Sequence, residues 1–114
     1  MMNQGHIINI HGNDNLVVIE VHGDLTASAE KDMDDAYKKA CEYNTKNILI
    51  KFDDKSRINS AGIANVINIV IESQERQHKI FITGVSKHFR KIFELVGLTK
   101  YTTIVESEEE VSKV

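Results

Sequence analysis

The sequence contains no proline, a single cysteine, Cys41, and no apolar run near the roughly 18 residues that a membrane helix requires. A lone cysteine makes no internal disulfide, which points to the cytoplasm, where thiols stay reduced. Residues 1–5, Met-Met-Asn-Gln-Gly, lack the basic and apolar regions of a signal peptide, so no direct membrane insertion is expected. The glycine-rich signatures of nucleotide loops, Gly-x-Gly-x-x-Gly and Gly-Lys-Ser/Thr, are missing, and Gly84-Val85-Ser86-Lys87 is too short to cradle phosphates. No Gly-x-Ser-x-Gly elbow holds a nucleophilic serine. No catalytic residue is therefore assigned, and the chain is expected not to be an enzyme. Five histidines, His6, His11, His22, His78 and His88, show no tetrahedral ligand spacing. They read as exposed polar residues and Cys41 as a partly buried core thiol, with no metal and no cofactor expected. A net charge of -3 and an isoelectric point near 5.9 argue against nucleic-acid binding through bulk charge.

What is present suits a folded chain: 41% hydrophobic and 27% charged residues over 114, a length that suggests one domain spanning residues 1–114. Without proline, punctuation falls to glycine, asparagine, aspartate and helix caps. Residues 6–11 and 16–22 are β-rich, and Val17, Ile19 and Val21 alternate with Val18, Glu20 and His22 at a period of two. His11-Gly12-Asn13-Asp14-Asn15 between them predicts a hairpin loop. After Gly23-Asp24-Leu25-Thr26 the period becomes helical, with Ala29, Met33, Ala36, Tyr37 and Ala40 as the apolar stripe and Thr26 as N-cap.

Residues 47–52 (Asn-Ile-Leu-Ile-Lys-Phe) predict a central strand. A second helix runs from Ser60 to about Gln77 with Ile63, Val66, Ile67, Val70 and Ile71 inward. Its β-branched interior lowers helix propensity, but a strand of that length would be abnormal. Residues 79–83 predict a third strand. Ser86 caps a helix with Phe89, Ile92, Phe93 and Val96 inward, ended by Gly97 in a left-handed conformation with Leu98 as its hydrophobic contact. Residues 101–105 predict a short edge strand, and Ser107 with Glu110 a capping box opening a terminal helix. The fold class is α/β: a small, mostly parallel sheet of four to five strands with an N-terminal hairpin strand and covering helices. Exposed edge strands permit a monomer or a weak dimer.

In parallel β-α units, strand-to-helix joins fall at the carboxyl edge of the sheet, where ligands and partners usually meet the fold. Three joins occur, at residues 24–26, 53–60 and 84–86, each ending in a hydroxyl residue expected to cap a helix. The clearest site is Ile58-Asn59-Ser60-Ala61-Gly62-Ile63. Its ordinary reading makes Ser60 an N-cap and Gly62 a close-packing residue. Its functional reading makes Ser60 accessible to a kinase, since a phosphate adds about -1.5 to -2 charges at a helix start that favours anions. Two unit charges ~6 Å apart at an effective dielectric near 20 interact by roughly 3 kcal/mol, about a hundredfold in affinity.

Asn59-Ser60-Ala61-Gly62-Ile63 resembles the Asp-Ser-Ser/Ala-Gly-Leu/Ile motif of STAS domains, especially bacterial anti-sigma-factor antagonists. Gly23-Asp24-Leu25-Thr26 is similar to the turn before that family's first helix. Ile82 to Ser86 and Phe89 to Leu98 resemble its third helix and closing Gly-Leu. The resemblance implies transcription regulation by partner switching. An unphosphorylated antagonist binds an anti-sigma factor that is also a serine kinase, and a PP2C-type phosphatase reverses the modification. It further implies Ser60 as phosphoacceptor and Asp24, Thr26, Arg57, Asn59, Ser60, Ala61 and Gly62 as the partner surface. Asn59 stands where the family commonly has aspartate, keeping hydrogen-bonding ability and losing the charge. Arg57 is placed to pair with a phosphate, opposed by Asp53 and Asp54. Two alternatives are a STAS subunit of a signalling assembly or transport ATPase complex without phosphoswitching, and a sensor of nucleotides or other small molecules at the same edge.

Overall fold

The structure, a computed structural model, describes residues 6–53 and 56–113; the readings placed on residues 1–5 and on Asp54 lie outside the described residues. Strands β1 (His6–Gly12) and β2 (Val17–Gly23) form the opening hairpin, followed by α1 (Glu30–Cys41), β3 (Asn47–Phe52), α2 (Ser60–Glu75), β4 (Lys79–Thr83), α3 (Lys87–Leu95) and β5 (Thr102–Ile104). The hairpin turn is held by Asn13, whose Oδ1 accepts from the N–H groups of Asn15 (2.7 Å) and Leu16 (3.2 Å), the local bonding that makes asparagine a turn residue. Strand order in the sheet is β1-β2-β3-β4-β5. Only the β1/β2 pair is antiparallel; β2/β3, β3/β4 and β4/β5 are parallel. Every β-α join from β2 onward therefore falls at one edge, as parallel pairing requires.

The two faces of the sheet are covered differently. Val17, Ile19, Val21, Ile48, Ile50, Phe52, Ile80 and Ile82 point to one face and pack with Met33 and Tyr37 of α1, Val66 and Ile69 of α2 and Phe93 of α3. The opposite face carries a smaller cluster in which Val105 and Val111 cover Val18, Leu49 and Phe81. Val105 and Val111 come from the segment after β5, whose described end is a 3-10 turn, Glu108–Lys113. The predicted capping box is shifted there: the Glu110 carboxylate accepts from the N–H of Glu106 at 2.8 Å, not from Ser107.

Two apolar stripes are corrected by the packing. In α2 the buried residues are Gly62, Asn65, Val66, Ile69, Val70 and Ser73, whereas Ile71 is 57% exposed. At about 100° per residue the isoleucines and valines cover more than half of this helix's circumference, so hydrophobicity alone does not fix the edges of its inner face. The close approach at Gly62 does. In α3, Val96 is exposed and Phe93 is the buried anchor. Gly97 takes the predicted left-handed conformation (φ 84°, ψ 9°) and Leu98 is buried beside it.

Candidate functional site

The carboxyl edge is organised by two buried residues from different loops. Leu25, after β2, and Ile58, before α2, form a parallel bridge. The Leu25 N–H donates to the Arg57 carbonyl at 2.7 Å, and the Asn59 N–H donates to the Leu25 carbonyl at 3.3 Å. Burying Leu25 and Ile58 anchors both loops in the core, so their polar neighbours Asp24, Thr26, Arg57 and Asn59 share one surface. Gly62 seals the arrangement from within the first turn of α2. A Cβ at this position would stand 2.1 Å from the Leu25 carbonyl oxygen and 3.0 Å from the Ile58 side chain. Only glycine lets the helix start approach the Leu25 backbone so closely. Gly62 is thus buried beneath the surface it was expected to line.

The caps differ from those read in the sequence. Asn59, in extended conformation, is the N-cap of α2: its Oδ1 accepts from the Gly62 N–H at 2.9 Å. Ser60 is instead the first helical residue, exposed beside exposed Ala61, with capping handled by its neighbour. Asparagine caps as well as serine does, so the Asn-x-x-Gly spacing carried a signal that a reading centred on the hydroxyl passed over. Thr26 likewise caps no helix by its side chain. It precedes a 3-10 turn, Ala27–Ala29, and its hydroxyl meets Ser28 Oγ at 3.0 Å. Ser86 alone follows the predicted pattern, accepting from the Phe89 N–H at 3.3 Å. Just before it, Gly84 has φ 84° and lies so close to the Phe52 carbonyl that a Cβ would meet it at 1.8 Å.

The loop entering α2 is tied to the sheet by a polar chain. Asp53 Oδ2 lies 3.2 Å from His22 Nδ1, and its Oδ1 accepts from the Ser56 hydroxyl at 3.0 Å. His22 Nε2 is 3.4 Å from Glu20, whose other oxygen is 3.1 Å from His11 Nε2. Glu20 is held below the usual carboxylate range, chiefly by the His11 hydrogen bond, with His22 adding to it against the opposing effect of burial. Asp53 is thereby engaged with His22 and Ser56, while Arg57 is exposed and makes no ion pair among the described residues. Two other histidines are not the exposed groups that the sequence suggested. The His6 ring is covered, its Nε2 2.8 Å from Asp32, and His78 sits edge-on to Tyr37 with Nδ1 3.1 Å from the phenolic oxygen. Among the described residues, no cluster of histidine, cysteine, aspartate and glutamate could hold a metal ion. No described helix is long and apolar enough to cross a membrane.

A family model described as STAS domain matches residues 8–111. The Bacillus cell fate determinant SpoIIAA in its phosphorylated form is similar in structure, with a TM-score of 0.67 and 18% identity over 94% of this chain and 98% of its own. The anti-sigma factor antagonist SpoIIAA in its unphosphorylated form gives a TM-score of 0.70 at 17% identity over 94% and 95%. An anti-sigma factor antagonist from Mycobacterium paratuberculosis gives 0.74 at 13% identity over 95% and 92%. At these identities the likeness is one of fold. None of the curated proteins compared matches the sequence.

Proposed function

This chain belongs to the STAS domain family, and from that membership we propose that it is an anti-sigma-factor antagonist controlled at Ser60, a single domain over residues 1–114. In the unphosphorylated state its carboxyl edge binds an anti-sigma factor that is also a serine kinase; the kinase modifies Ser60 and a PP2C-type phosphatase restores it. The contact surface is Asp24, Thr26, Arg57, Asn59, Ser60 and Ala61, with Gly62 shaping it from below. The observation that carries this reading is the division of labour between Asn59 and Ser60: the amide caps the helix and the hydroxyl is exposed.

Phosphate on Ser60 would sit where the first-turn N–H groups and the helix dipole favour an anion, so α2 need not refold. The partner bears the effect, because about two added charges meet its surface at contact distance. The reading also fits the similar structures, which are of anti-sigma factor antagonists and include a phosphorylated form. Intact-mass analysis and peptide mapping after incubation with the cognate kinase and ATP test it. One phosphate is expected, on Ser60, with Ser60→Ala unmodified yet still binding the kinase. Modification solely elsewhere, or none by a demonstrably active kinase, would leave the alternative of a STAS subunit in a signalling assembly or transport ATPase complex.

A further inference from the structure

The sheet ends on one side in β1, and among the described residues no strand lies beyond it. β1 pairs with β2 without a break over all seven of its residues, from His6 opposite Gly23 to Gly12 opposite Val17. It carries none of the usual guards of an edge strand: no proline, no lysine and no bulge. The strand at the other side, β5, has only three residues, too few to offer the same template. Ile8 and Ile10 point from β1 to the inner face and are only half-buried, and Ile7 on the outer face is 62% exposed.

A groove of about 320 Å³ runs between β1 and α1, lined by Ile8, Ile10, Asp32, Asp35, Ala36 and Lys39. No other strand lines it, which places it on the free side of β1. The four helical residues are spaced i, i+3, i+4 and i+7, so they form one flank of α1. Ile8 and Ile10 stand symmetrically about Asn9. The flank of α1 is ordered in a matching way, with an acid, Asp32, at one end, a base, Lys39, at the other and the small Ala36 near its middle.

We propose that this groove receives a second copy of the chain, whose β1 adds antiparallel to β1 with Asn9 on the two-fold axis. The register centred on Asn9 keeps inner-face residues opposite inner-face residues and pairs all seven positions of each strand. Ile8 then lies opposite the partner's Ile10, and each copy's isoleucines enter the other's groove. α1 packs over both β1 and β2, so a strand spacing of about 4.8 Å sets the two α1 helices roughly 10 Å apart, a distance at which helices pack. The helices run antiparallel across the axis, and Asp32 faces the partner's Lys39 twice in the dimer. Lys39 makes no ion pair among the described residues, and Asp32 uses Oδ2 on His6 Nε2 at 2.8 Å, keeping Oδ1 for a second donor. Asp35 stands near the axis, where Lys31 of its own helix meets its charge at 3.1 Å. Copies related in this way turn their carboxyl edges in opposite directions, which leaves both Ser60 surfaces open.

Sedimentation of the full chain up to about 1 mM tests the contact, with a reversible monomer–dimer equilibrium expected. Lys39→Glu sets like charges against each other twice and should weaken the dimer about tenfold or more. Asp32→Lys together with Lys39→Glu restores the opposition of charge and should return affinity to within about threefold of the parent. Asp32 and Lys39 are exposed, so these changes leave the core intact. Asn9→Cys in a Cys41→Ala background should form a disulfide-linked dimer on mild oxidation, because paired Cα atoms of antiparallel strands lie about 4.5–5.5 Å apart. Thr103→Cys, exposed on β5 in the same background, should stay monomeric. A chain that remains a monomer at about 1 mM overturns the proposal. So does a charge swap no tighter than Lys39→Glu alone, or cross-linking of Thr103→Cys in place of Asn9→Cys. Since Ser60 lies outside this contact, a negative result leaves the partner-switching proposal standing.

Discussion

Asn59 accepts the hydrogen bond that a helix start needs, and Ser60, one position on, is left without that task. The separation has a measurable signature in stability. Asn59→Ala should cost about 1 kcal/mol, the usual loss for removing an N-cap, whereas Ser60→Ala should stay within about 0.5 kcal/mol of the parent. Denaturant unfolding with an unchanged slope checks both values. The reverse order would return the cap to Ser60 and remove the ground for an available hydroxyl. The neutral amide matters as well. An aspartate cap would place a carboxylate next to a phosphorylated serine, whereas Asn59 leaves the helix dipole and the exposed Arg57 unopposed at that position.

Helix α2 is predicted correctly in kind and, for Ile63, Val66, Ile67 and Val70, in the residues that pack into the core; Ile71 is the exception. Its isoleucines and valines alone mark helix by length, yet they spread over more than half of its circumference. The inner face is set where Gly62 meets the Leu25 backbone and where Ile69, Val70 and Ser73 enter the core. Ile69→Ala should therefore cost about 2–5 kcal/mol, as a buried isoleucine truncation does. Ile71→Ala should lie within about 0.5 kcal/mol of the parent or gain a few tenths, because alanine is the better helix former at an exposed site. Thermal or denaturant midpoints of the two variants check that Ile69 lies inside the packed face and Ile71 outside it.

Across the whole molecule the two sheet edges differ: hydroxyl and amide groups stand at helix starts on one, and His78 packs against Tyr37 on the other. The second has a consequence for stability against pH. His78 is held below its ordinary value in the folded state, by burial first and then by the charges of Arg76 and Lys46, so the unfolded chain takes up the proton first as the solution is acidified. Its contribution is present in full above the unfolded value of about 6.5, falls as pH drops through the folded value, and is constant below that. Unfolding free energies measured across this window should show a slope in the parent chain that His78→Gln flattens. An unchanged slope would mean that the imidazole is not kept neutral by its surroundings.

The element order, the parallel crossovers, the three strand-to-helix joins and the left-handed turn at Gly97 were legible in the sequence, because each rests on local periodicity, caps or backbone freedom. So was the motif around Ser60, down to the close packing of Gly62. The cap itself was read one residue late, since asparagine and serine compete equally for that role and only backbone geometry chooses between them. The pairing of Leu25 with Ile58 and the packing of His78 against Tyr37 had no local signal at all. Sequence patterning determines what each segment becomes. Which residues of separate segments become neighbours was decided by the sheet, whose parallel register brings one set of loops to one edge and the helix ends to the other.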